Sequence, residues 1–208
     1  MTRPTNIGIA SVFMLVLIMI GLPTVIVTSP TYVDDVSVSL ALRRSAELAF
    51  VVFFFIFVAR PAYELFPGTF TRALLRLRPY LGVAFAATMT VHLTLIAWRH
   101  IVVIRELPAW ISLGAGGLAY ALIFLMLLTT FEAPARTLGA RNWRWLHKAG
   151  LYWIGIVFAG ALLPRTLNDP SNPLYLAFGL MIVLAVATRL SAFAQRKRQS
   201  TAATESAR

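Results

Sequence analysis

The chain has 208 residues, 59% of them hydrophobic and only 13% charged, with a mean hydropathy of +0.76. Soluble domains are nearer roughly 45–50% apolar and 25% charged, so a water-facing globule, a disordered chain and a disulfide scaffold are excluded. Nineteen Lys and Arg stand against eight Asp and Glu, a net charge of +11, and with no cysteine there are no disulfides, thiolate metal sites, iron–sulfur clusters or cysteine nucleophiles.

A spanning helix needs roughly 20 apolar residues, so six spans with short connections use up the chain. Six apolar runs are present. The first, over residues 7–28, is too long for a signal-peptide core and has no small-x-small cleavage pattern after it; it reads as a retained span that Pro23 kinks or ends. The second runs over about 40–63, the third over about 80–104, the fourth over about 110–131, the fifth over about 143–163 and the sixth over about 174–193. The connection between the second and third carries Pro61, Pro67, Gly68 and Pro79 and is expected to hold a short interfacial helix over 69–78. Residues 1–195 form the spanning domain, and 196–208 a polar cytoplasmic tail expected to be disordered beyond Gln199. No alternation of period two is long enough for a barrel strand. The expected fold is therefore all-α, a polytopic membrane protein built as a six-helix transmembrane bundle.

The basic residues orient the bundle. With both termini cytoplasmic, the inner segments hold Arg3, the group Arg60, Arg72, Arg76 and Arg78, the group Arg136, Arg141, Arg144 and Lys148, and the C-terminal group from Arg189 to Arg208. The outer segments hold Arg43, Arg44, Arg99, Arg105 and Arg165, together with Asp34, Asp35, Glu106 and Asp169. This asymmetry is the positive-inside pattern, which accounts for the basic excess without nucleic acid as a partner. Tyr80, Trp143 and Trp145 mark the inner interface, and Tyr32, Trp98, Trp110 and Tyr175 the outer one.

Ionisable residues inside spans are functional candidates because burying them in hydrocarbon is costly. His92 lies mid-span in "TMTVHLTLIAW", about 18 Å above the cytoplasmic face when counted from Tyr80. Thr88, Thr90 and Thr94 are its nearest polar neighbours in sequence. His147 sits at the cytoplasmic start of the fifth span, and His100 close to the outer face. Glu47 follows Arg43 and Arg44 at helical spacing, which favours a local ion pair; alternatively Arg44 and Arg99 face the propionates of a heme held by His92. Walker A, G-x-G-x-x-G and H-E-x-x-H patterns are absent, and Gly114–Gly117 reads as close helix packing. With no room for a soluble NAD or flavin domain, an electron donor would be a lipid quinone, a bound flavin or another polypeptide.

These residues resemble the ferric-reductase-like transmembrane family. The nearest members are the heme-binding membrane subunits of the periplasmic methionine-sulfoxide reductase system. The matching pieces are Arg44 opening the second span, Ala59–Arg60 closing it, the R-x-R-x-x-L-G run from Arg76 and Arg78 to Gly82, His92 in the third span, and L-G-x-x-x-W-x-x-L-H ending at His147. The resemblance covers about residues 40–190. It implies a six-helix bundle with heme b between the third and fifth spans, in the bacterial inner membrane. Electrons would pass from a cytoplasmic-side donor, FMN or a quinone near Arg76 and Arg78, to an outer-face acceptor, a periplasmic partner subunit of molybdopterin type. His92 would be an axial iron ligand and His147 the second or an alternative one.

The sequence departs from the family at Gly160, where a fifth-span histidine is expected as the level partner of His92. Counted from the cytoplasmic ends, His92 and His147 differ in depth by about 12 Å. Three outcomes stay open: a heme held by His92 alone, helix shifts that let both histidines share it, or a heme-free membrane scaffold or accessory subunit that keeps the fold.

Overall fold

A computed structural model describes residues 12–14, 16, 35–103 and 110–206. The expected first span, along with Arg3, Asp34, Arg105 and Glu106, lies wholly or mostly outside them. Among the described residues the regular structure is helical throughout: α1 (Asp35–Leu65), α2 (Thr69–Trp98) closed by a π-helical turn (Arg99–Val103), α3 (Trp110–Leu128), α4 (Glu132–Asn168) and α5 (Pro173–Ser206). α1, α2, α4 and α5 are long and apolar enough to cross a membrane. The 31 residues of α1 rise about 46 Å, against roughly 30 Å of bilayer hydrocarbon. Leu48, Phe55, Ile156, Leu180, Val183, Leu190 and Phe193 are exposed, an apolar surface that suits lipid tails and would be a liability in water. By length, composition and exposed surface this is a multi-pass membrane protein.

Three elements differ from the sequence expectation. Pro79 does not separate an interfacial helix from the third span; α2 runs through it. A helical proline loses one backbone bond and crowds the preceding turn, but α2 is already nucleated below it. Gly68 begins the helix, its N–H donating to Thr71 Oγ1 at 3.0 Å while Thr71 Oγ1 donates to the Phe66 carbonyl at 2.8 Å. The connection before the fifth span is also helical, starting at Glu132 and broken at Gly139, whose φ of 77° and ψ of 155° lie in a region essentially reserved for glycine. Finally, the tail expected to be disordered beyond Gln199 continues α5 to Ser206. Its Ala, Gln, Arg and Lys residues are good helix formers, and no Gly or Pro stops the helix.

The chain divides into two compact units, Met1–Phe53 with Pro79–Phe158, and Phe54–Arg78 with Ala159–Arg208. In the first, α1 and α2 run antiparallel, Ser45 meeting His92 and Phe53 meeting Phe85. Phe50, Phe53, Phe85 and Phe158 close its centre, with ring centroids 5.4–6.1 Å apart; each such pair adds about 0.5–1.5 kcal/mol beyond its buried area. α3 and α4 are also antiparallel, tied by Trp153 Nε1 to the Ala115 carbonyl at 3.2 Å and Trp143 Nε1 to the Thr129 carbonyl at 3.0 Å.

In the second unit, Pro61 lies inside α1 and so withholds the N–H that the Phe57 carbonyl would accept in a helix. Arg189 from α5 supplies the replacement, its Nη2 donating to the Phe57 carbonyl at 3.0 Å while its guanidinium lies 3.8 Å from the centroid of the Phe57 ring. Arg78 Nε donates to the neighbouring Ile56 carbonyl at 3.2 Å. Asn172 caps α5, its side-chain oxygen accepting from the Leu174 N–H at 3.1 Å, with Pro173 at the first helical position. Thr166 ties α4 to α5 by donating to the Tyr175 carbonyl at 2.8 Å.

Gly179 faces that threonine closely: a Cβ there would lie 2.7 Å from Thr166 Cγ2. Thr166 is β-branched and already tied to Tyr175, so it has little freedom to yield. Gly179→Ala should therefore destabilise the protein by about 1–3 kcal/mol, read as a lowered thermal midpoint in detergent. In a Thr166→Ser background, which removes Cγ2, most of that loss should disappear.

Candidate functional site

The site is built around His92, about four-fifths of the way along α2. Its Nδ1 lies 2.8 Å from Ser45 Oγ, a buried hydroxyl on α1. Ser45 has one proton, and its Oγ is also 2.9 Å from the Leu42 carbonyl, which can only accept. The proton is thereby committed to Leu42, and Ser45 Oγ accepts from His92. The one polar neighbour of Nδ1 thus calls for an Nδ1–H, and a neutral imidazole in that tautomer carries its lone pair on Nε2. A ring oriented through Nδ1–H to a hydroxyl or carbonyl is also how proteins hold a metal-ligating histidine. Among the described residues no hydrogen bond reaches Nε2.

The threonines nearest His92 in sequence are not its partners. Thr88, Thr90 and Thr94 donate back to the carbonyls of Ala84, Ala86 and Thr90 at 2.9–3.0 Å, the usual resort of a hydroxyl inside a span. The effective partner is Ser45, 47 residues away. A faint sequence signal exists for it, since Ser45 is the one hydroxyl residue between Leu40 and Pro61.

Just along α1, Glu47 is buried and paired twice, to Arg44 Nη1 at 2.9 Å and to Arg43 Nε at 3.3 Å. The local pair expected from the spacing is formed. Arg44 stays 63% exposed at its side chain, with its charge directed to Glu47. Arg99 and His100 lie in the π-helical turn that ends α2. Arg99 follows His92 by two turns, on the same helix face.

His147 is held differently. Its Nε2 lies 3.2 Å from Thr129 Oγ1, and its ring stacks on Trp143 with centroids 4.1 Å apart. Thr129 Oγ1 donates to the Leu125 carbonyl at 2.8 Å, so it accepts from His147, whose proton is then on Nε2. The two histidines are fixed in opposite tautomers. They are also far apart along the membrane normal. Phe85 of α2 meets Phe158 of α4, and helices separated by one intervening short-looped span run parallel. His92 lies seven residues above that contact and His147 eleven below it, about 27 Å apart in helical rise. The separation exceeds the sequence-based 12 Å because the Phe85–Phe158 contact, rather than the helix ends, sets the register of α2 against α4. One iron cannot take both rings.

Arg76 is exposed on α2, and Arg78 is bound to the Ile56 carbonyl; both lie in the second unit with Gly160, which is exposed and leaves open space where a Cβ would stand. No group of three or more His, Cys, Asp or Glu side chains converges among the described residues. A heme asks the protein for only one or two axial donors, and His92 meets that demand once. The donor set thus fits single-histidine ligation and not a His92–His147 pair. Comparison with protein-family models, with curated proteins and with solved structures yields no match to this chain.

Proposed function

We propose that the chain is a b-type cytochrome-like membrane subunit that carries electrons across a bacterial inner membrane, with His92 as its iron ligand. The observation that supports this reading most is the Ser45–Leu42 arrangement that protonates Nδ1 and leaves the His92 Nε2 lone pair for a metal. A bound heme would supply a one-electron carrier inside the bilayer. The donor would be a quinone or FMN on the cytoplasmic side, where Arg76 and Arg78 lie, and the acceptor a periplasmic redox partner subunit. Of the outer-side arginines, Arg99, two turns beyond His92 on the same helix face, and Arg44 would neutralise the heme carboxylates. His147, engaged by Thr129 and Trp143, has a structural role at the other end of the bundle.

A second reading keeps the fold as a heme-free scaffold or accessory subunit. It is favoured by the phenylalanine cluster that packs α1, α2 and α4 directly together and by the glycine at position 160. The absorbance spectrum of protein expressed with ample heme separates the two. An electron carrier gives a Soret band that shifts on adding reductant. A purified, folded protein without a Soret band would discard the cytochrome and leave the scaffold.

A further inference from the structure

We infer that Arg60, Arg78, Arg189 and Arg196 form a binding site for the phosphate headgroup of an anionic phospholipid. The inference rests on the membrane-spanning helices and is independent of the heme. Three helices deliver these four guanidiniums to one short stretch of α1. Arg78 and Arg189 reach the consecutive carbonyls of Ile56 and Phe57. Arg60 and Arg196 both reach Glu64, at 2.9 Å and 3.7 Å. Arg78 lies within electrostatic range of both Arg189 and Arg60.

The charges do not balance. Among the described residues of this unit, Arg60, Arg78 and Arg196 have one nearby carboxylate between them, that of Glu64. The other carboxylates on residues 54–78 and 159–206 are Asp169, which follows the opposite end of α4, and Glu205, more than two turns of α5 beyond Arg196. Like charges gathered beside a low-dielectric slab demand a counter-ion, and guanidiniums present the donor geometry that phosphate oxygens take.

The surroundings identify which phosphate. Arg60 and Arg196 are 71% and 57% exposed at their side chains, so the cluster is open to a headgroup. Leu77, next to Arg78 on α2, and Val186, Leu190 and Phe193, within about a turn of Arg189 or Arg196 on α5, are exposed and offer acyl chains apolar surface close to the guanidiniums along both helices. A free phosphate ion has no use for that surface; a phospholipid uses both parts.

The test is native mass spectrometry of the protein from mixed phosphatidylglycerol–phosphatidylcholine nanodiscs. The wild type should retain phosphatidylglycerol about tenfold over phosphatidylcholine. Arg60→Gln with Arg196→Gln should reduce that preference to about twofold or less. Both residues are exposed and neither holds a backbone carbonyl of α1, so circular dichroism should show unchanged helicity. Arg141→Gln with Arg144→Gln, which removes the same charge elsewhere, should leave the preference intact. Equal retention of the two lipids, or an equal loss in both double variants, would overturn the site. Displacement of the lipid by inorganic phosphate at equal concentration would make the ligand a free anion and overturn the lipid assignment.

Discussion

Arg189→Leu should be among the costliest single substitutions in the spanning helices, lowering stability by about 2–3 kcal/mol. The reason lies at a distant proline, Pro61, through the Phe57 carbonyl 132 residues away in sequence. Pro61 has no N–H, so the Phe57 carbonyl has no helical donor. In water a free carbonyl would bind solvent; within a membrane it must be met by protein. Arg189 meets it and stacks its guanidinium on the Phe57 ring. Removing the guanidinium also relieves part of the repulsion among the clustered arginines, which offsets some of the loss, but the freed carbonyl, with no helical donor of its own, decides the sign. Pro61→Ala restores the missing N–H. Arg189→Leu in that background should lose only about 1 kcal/mol, chiefly the ring contact. Arg189→Lys should fall between, since an ammonium lacks the planar fork that bonds the carbonyl and stacks at once. Unfolding by a denaturing detergent, followed by circular dichroism, closes the cycle. Equal costs with and without Pro61 would mean that Arg189 does not repair the helix.

What could be read from sequence, and what could not, divides along a physical line. The length and apolarity of the runs foretold helices, because a run of some 20 apolar residues has few other solutions in a bilayer. The Arg44–Glu47 pair was readable too, since residues three apart on a helix are neighbours. Helix ends were less so. Pro79 looks like a terminator but costs only one bond inside a helix already started at Gly68. The relative depth of the histidines was missed for another reason: it is set by the contact of Phe85 with Phe158, which no count from helix ends supplies. Contacts between helices carry almost no local signature: nothing near His92 points to Ser45, and nothing near Arg189 points to Pro61. Both depend on the register of one helix against another, which is set by packing. The phenylalanines at 50, 53, 85 and 158 announce an apolar interior, but only their meeting fixes which levels of α1, α2 and α4 coincide.

The three residues around the proposed iron site should separate cleanly when heme content is measured as the ratio of Soret to protein absorbance. His92→Ala removes the only imidazole at its level and should abolish bound heme. Ser45→Ala leaves the imidazole but removes the acceptor that helps fix its Nδ1–H, so the ring loses orientation and Nε2 its assured lone pair. Loss of such an outer partner typically weakens metal binding about 10–100-fold, so heme should be retained only when supplied in excess. Ser45→Thr, which keeps the hydroxyl, should restore much of it. His147→Ala should leave the heme content unchanged, because His147 lies about 27 Å along the helices from His92 with its Nε2 turned to Thr129. Its effect should be on stability alone, about 1 kcal/mol for the lost hydrogen bond and the stacking on Trp143. Heme lost equally in His92→Ala and His147→Ala, with both variants folded, would mean that the two rings share an iron after all and that the register set by Phe85 and Phe158 is not the working one. Heme unaffected by His92→Ala would move the ligand elsewhere and leave the Ser45–His92 pair as a polar clasp between α1 and α2.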